Sequence, residues 1–108
     1  MQLREIAHAR TGDKGNLVNI ALIAYDPAKF ELLRRVVSAR RVHEWFGSLV
    51  AGEVVRYELP RLGALNFVFA RATGGVTNSL VLDGHGKSLG FLLLDMPVDD
   101  TSMRHAGT

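Results

Sequence analysis

The segment His8-Ala9-Arg10-Thr11-Gly12-Asp13-Lys14-Gly15-Asn16 concentrates the chemistry of this chain. It carries an imidazole, two cations, a carboxylate, a hydroxyl, a carboxamide and two glycines. Arg grips a carboxylate or phosphate through paired N–H donors, and Lys adds a point charge. Glycine lets peptide N–H groups approach a ligand closely. Such a loop at a strand end forms an anion-binding nest. It is not a Walker A loop, which runs Gly-x-x-x-x-Gly-Lys-Ser/Thr into a helix; here Asp13 intervenes and a strand is expected to follow. The alternative is a tight turn held by Asp13, with Arg10 and Lys14 in solvent.

Other polar residues are candidates beside this loop. Asn19 interrupts an otherwise apolar strand, and a buried amide must find partners, whether backbone or ligand. Asn66 invites the same reasoning. Ser79 follows Gly74-Gly75-Val76-Thr77-Asn78, a second polar segment that would line the same cleft if the fold brings the two together. His8 is the one histidine expected inside a strand. As a general base it would need an orienting partner, for which Asp13 is the neighbour at hand; the plainer role is a structural hydrogen bond. Thr11, Ser79 and Ser88 lack a nucleophile-elbow motif. His43, His85 and His105 show no His-x-x-x-His spacing and no supporting carboxylate, so neither a metal site nor a cofactor is expected.

Composition bounds what these residues can belong to. The chain has 108 residues, 47% hydrophobic and 22% charged, with no cysteine. That is the size of one domain and too apolar for disorder. Disulfides and thiolate chemistry are excluded. No apolar run reaches the ~18 residues of a membrane span, and the opening MQLREIAHAR has no signal-peptide core, so a cytoplasmic protein is expected. Thirteen Lys and Arg against eleven Asp and Glu give a net charge of +2. Arg34, Arg35, Arg40 and Arg41 cluster, but aromatic residues do not interleave with them, so nucleic acid is not an expected partner. The cluster reads as two solvated helix faces or, alternatively, as an anion patch.

The positioning elements follow from hydrophobic period and punctuation. Residues 2–8 read as a strand and 9–15 as a loop. Residues 17–25 read as a central strand covered on both faces. Asp26-Pro27 opens a helical segment over 27–50, broken at Ser38, a fresh N-cap. Residues 53–59 alternate as a half-buried strand, with Val55, Tyr57 and Leu59 on one side. Residues 62–73 fit a helix through Leu65, Val68, Phe69 and Ala72, although Asn66–Arg71 also passes as a strand; the helix is favoured. Residues 78–83 and 88–96 read as strands joined by a turn over Asp83-Gly84-His85-Gly86. The expected domain is 1–97, with 98–108 a flexible tail. The expected class is α+β, a ferredoxin-like sandwich of mostly antiparallel sheet with helices on one face.

Three blocks occur in order: HARTGDKGNLVNIALIA, YELPRLGALNFVFA and GGVTNSLVLDGHGKSLGFLLLDM. Together they resemble the small C-terminal, ferredoxin-fold domain of the acyclic terpene utilisation A (AtuA-like) family, over about residues 2–97. The closest part is the His8–Asn16 segment with Asn19 and Ile20. Thr11 stands where the family often has serine, and Asn78 where a basic residue is common. In long family members this domain follows a much larger one linked to bacterial breakdown of terpenoid alcohols and acids through acyl-CoA intermediates. Stand-alone versions resemble separately encoded partners of it. The resemblance therefore implies an accessory domain that associates with itself or with a large AtuA-like subunit. Arg10, Thr11, Gly12, Lys14, Gly15, Asn16, Asn19, Asn66 and Ser79 would serve a shared site for a carboxylate or CoA-type phosphate. The alternative is a small acyl-CoA hydratase or isomerase with His8 or Asp13 as base.

Overall fold

The computed structural model describes residues 1–72 and 88–98, apart from the side chains of Asp13 and Ser88. Four strands, β1 (Ala7–Lys14), β2 (Leu17–Ala24), β3 (Val50–Leu59) and β4 (Ala64–Arg71), form one sheet in the order β1-β2-β4-β3. Every neighbouring pair is antiparallel. The described helices are α1 (Phe30–Val36), α2 (Ala39–Phe46) and α3 (Ser88–Leu94). With α1 and α2 counted as one broken segment, the described elements run ββα-ββα, the ferredoxin-like β-α-β-β-α-β unit entered one strand early.

Local chemistry accounts for the helical segment. Asp26 accepts a hydrogen bond from the Ala28 N–H at 3.0 Å, and Pro27 takes the first helical position. Ser38 caps α2 through a bond from the Arg41 N–H to Oγ at 3.1 Å. The helices pack on one face of the sheet. Val18, Ile20, Leu22, Leu65, Phe67 and Phe69 meet Leu33, Val37, Val42, Phe46, Leu89 and Leu93 in one continuous core. Arg56 also points to this side, although it is charged. Its guanidinium donates to the carbonyls of Arg34 and Val37 at 2.8 and 2.9 Å. A positive group there complements the negative end of the α1 dipole.

Several expected elements are corrected. Residues 2–8 are not a strand: a 3₁₀ turn spans Leu3–Glu5, and β1 begins at Ala7 and continues to Lys14 through the expected loop. Its charges alternate because one face of an edge strand meets water. Among the described residues β2 is covered by helices on one face only, and Asn19 is exposed rather than buried. Residues 64–71 form strand β4, not a helix. Both periods fit that stretch, and pairing with β2 on one side and β3 on the other decides it. Residues 88–94 form helix α3, not a strand. Leu89 and Leu93 are buried at helical spacing, while Phe91, which a strand would place beside them, is 53% exposed. The expected strand 78–83 and turn 83–86 lie outside the described residues.

Met1–Leu3 and Met96–Val98 run side by side. Leu3 N–H donates to the Met96 carbonyl at 2.9 Å, and Val98 N–H to the Met1 carbonyl at 2.8 Å. Val98 itself is buried. Residues 99–108, the rest of the expected tail, lie outside the described residues.

Candidate functional site

The hairpin β1–β2 turns through Gly15-Asn16. Gly15 has φ +60°, and Asn16 does not share a positive φ. That is the pattern of a two-residue type II′ turn, which places glycine first. From this turn the register sets rows across the sheet. Lys14, Leu17 and Ala70 form one row, and Gly12, Asn19, Val68 and Val55 the next. Arg10, Ala21, Asn66 and Tyr57 form a third, and His8, Ile23, Ala64 and Leu59 a fourth. A strand shows alternate residues to opposite faces, and all four rows belong to the face away from the helices. Its Lys14 end is open, with Leu17 exposed, whereas at the other end Tyr25 stacks on His8 and Ala64 is buried.

Between Lys14 and Arg10, Gly12 contributes no side chain. The result is an open concavity of about 400 Å³ lined by Gly12, Lys14, Leu17, Asn19 and Val68. Lys14 supplies a positive charge at its margin, Asn19 an amide that donates and accepts, and Leu17 with Val68 an apolar wall. Arg10 lies one row away on the same strand and is exposed. Asn66 is half-buried in Arg10's row, two strands across. The arrangement suits a negatively charged group carried on an apolar body.

The remaining candidates divide. Thr11 lies on the other face, under α3: a methyl group built on Gly90 would come within 2.6 Å of its Oγ1. Asp13 occupies the register position opposite Val18, and its side chain is outside the described set. Ser79 lies outside the described residues. Gly15 and Asn16 make the turn, and the Asn16 carbonyl accepts the Arg71 N–H at 2.6 Å. The peptide groups around Gly12 belong to the ladder with Asn19, so the expected loop nest is replaced by a regular hairpin presenting side chains. His8 stacks on Tyr25, with ring centroids 5.3 Å apart. It sits six residues before Lys14, about 20 Å along the strand at ~3.3 Å per residue.

The arginine cluster is engaged with neighbouring helix residues. Arg34 donates to both carboxylate oxygens of Glu31, and Arg40 to Glu44 at 3.3 Å. The hydrogen bond from Arg34 holds the Glu31 carboxyl below its ordinary value, while Glu31 raises Arg34. Arg41 reaches the carbonyls of Val36 and Pro97 at 3.4 and 2.8 Å. Asp95 pairs with Arg4. Among the described residues, no three of His, Asp and Glu gather as a metal site would require.

Sequence reasoning missed the apolar part of the site. Leu17 and Val68 line the concavity, and Val55, Tyr57 and Leu59 extend the open face to the far edge. The signal was present in β3: its apolar parity and the parity carrying Arg56 and Glu58 could not both face the core.

Comparison with known proteins supplies the family context. A family model described as the AtuA ferredoxin-like domain matches residues 1–99. No curated protein and no solved structure matches the chain.

Proposed function

Because the chain belongs to the AtuA ferredoxin-like domain family, we propose that it is an accessory module whose β1–β2 hairpin contributes an anion-binding surface to a site shared with a neighbouring subunit. The ligand class is a carboxylate or a CoA-type phosphate, and the setting is bacterial terpenoid or acyl-CoA catabolism, as the family resemblance implies. One observation carries the reading: Lys14, Gly12 and Asn19 surround a concavity on the sheet face away from the described helices, with Arg10 in the adjoining row. A site open on one side binds weakly alone, since ligand pockets normally bury most of their ligand. A neighbouring surface would complete it.

The test adds short-chain acyl-CoA, and separately the free carboxylic acids, to the pure protein and follows turnover together with thermal unfolding. Stabilisation without turnover is expected. A ligand at a hundred times its Kd adds about 2.7 kcal/mol to a one-site protein. Arg10→Ala with Lys14→Ala should abolish that gain. Unchanged stabilisation in the double variant would remove the hairpin from the site, and turnover by the isolated chain would replace the accessory reading with the enzymatic one.

A further inference from the structure

We propose that a second copy of this chain covers the open sheet face. The two sheets pack face to face about a two-fold axis parallel to the strands, so that β1 of each protomer lies over β3 of its partner. This deepens the shared-site reading by naming the neighbour, and it rests on that reading only for the ligand.

The first support is the orientation of β3. Its inward parity holds Val54 and Arg56, and its outward parity holds Val55, Tyr57 and Leu59. A strand with one face left in water carries the reverse pattern, apolar in and polar out. Here Arg56 is accommodated inside by the carbonyls of Arg34 and Val37, while Tyr57 stands 51% exposed and Leu17 50%. Ala21, Ile23, Val68 and Ala70 join them into one patch. Four strands ~4.8 Å apart and eight residues long span about 500 Å² in plan. Protruding side chains raise the accessible area toward the ~800 Å² that each partner gives to a standard interface. Tyr25 and Leu62, 63% and 70% exposed, are further apolar surface available beyond the strands.

Charge selects the occupant's orientation. The register-paired residues of this face include no acid, and its cations, Arg10 and Lys14, lie on the β1 edge. An axis across the strands would set β1 on β1 and oppose cation to cation, which costs several kcal/mol at an interface. An axis along the strands sets the cationic edge over the aromatic and aliphatic edge. It also preserves height along the strand. Arg10 and Tyr57 share a row, so Arg10 meets the partner's Tyr57 as a cation on an aromatic face. Gly12 shares its row with Val55, so the partner's Val55 closes the concavity. Sheets packed face to face stand ~10 Å apart with strands roughly aligned, which this arrangement satisfies. Each protomer's site is then incomplete without the other.

The test is sedimentation of the full chain over a wide concentration range, with Tyr57→Lys and Tyr57→Glu beside the parent. Tyr57 is exposed, so both variants should fold, as circular dichroism would verify. A dimer is expected. Tyr57→Lys, facing Arg10, should weaken it at least roughly tenfold, a change of ~1.4 kcal/mol. Tyr57→Glu, paired with the same Arg10, should weaken it distinctly less. A monomer at every concentration overturns the proposal, including one that binds a large subunit instead. A dimer indifferent to both variants overturns it, and equal weakening by both overturns the two-fold arrangement. The anion-site reading stands or falls separately: a dimer that no acyl-CoA or carboxylate stabilises rejects the ligand and keeps the partner, whereas a monomer stabilised through Lys14 does the opposite.

Discussion

Two glycines do opposite things on the two faces of β1. Gly90 lets α3 approach the strand, since a methyl group there would come within 2.6 Å of Thr11 Oγ1 and 3.4 Å of the Ala9 methyl. Thr11 is stiff at χ1 and cannot swing aside freely. Gly90→Ala gains up to ~1 kcal/mol of helix propensity but meets an overpacking cost of about 1–3 kcal/mol. A net loss of about 1 kcal/mol is expected by urea denaturation, and the sign should reverse in a Thr11→Ala background. Equal effects in both backgrounds would show that the contact does not limit the packing. Gly12 has no such reason to be glycine. Its φ is not positive and a methyl group there would touch nothing, while glycine inside a strand weakens it. What its absent side chain provides is the floor of the concavity. Gly12→Val should therefore leave stability unchanged or raise it by up to ~1 kcal/mol, and should abolish ligand stabilisation. Loss of the fold would assign Gly12 to structure instead.

At the scale of elements, legibility followed the range of the deciding interaction. Asp26-Pro27 and Ser38 were readable because a cap acts within three residues. The apolar runs of β2 and β3 were readable as strands for the same local reason. Which face of each is buried was not, because that depends on where α1 and α2 land. β4 satisfies both periods, and only its place between β2 and β3 selects the strand. Leu89–Leu94 is apolar nearly throughout, so its helix is chosen by packing on β1. The charges of β1 resembled a loop because an edge strand and a loop meet the same solvent. The candidate site was half legible on the same terms: Arg10, Lys14 and Asn19 stood out by type, whereas Leu17, Val68 and Tyr57 join them only through register. Helix α1 offers a test of purely local energetics. Arg34 depresses the Glu31 pKa through a hydrogen bond. A depressed folded-state value means that the contribution is complete above the unfolded value of 4.5 and is lost as pH falls through the lower folded one. The stability difference between the parent and Glu31→Gln should shrink as pH drops below 4.5 and with added salt. A difference independent of pH would mean that the pair adds nothing. The pair is exposed, so the effect will be small.

At the scale of the molecule, the described residues form a sheet with helices on one face, closed where Met1–Leu3 meets Met96–Val98. Helix α3 covers β1, and it is held there by more than its leucines. Trp45 of α2 donates its indole N–H to the Leu92 carbonyl at 2.7 Å. Beyond the helix, Met96–Val98 returns along Met1–Leu3, with Gln2 and Pro97 bridged. Val98, Leu3 and Met96 are all buried in the common core, so this clasp adds burial as well as hydrogen bonds. Truncating a buried valine removes two methyl groups, at ~0.8 kcal/mol or more each once the cavity is counted. Val98→Ala should cost about 1–3 kcal/mol, seen as a lower urea midpoint with an unchanged slope. The open face should not register it: dimer formation and anion stabilisation, read at a temperature where the variant is folded, should match the parent. A changed slope would indicate that the ends open before the sheet does, making α3 a separately unfolding layer. A weakened dimer would mean that the helical side and the open face are coupled through β1, the strand on which α3 packs and which carries Gly12 and Lys14.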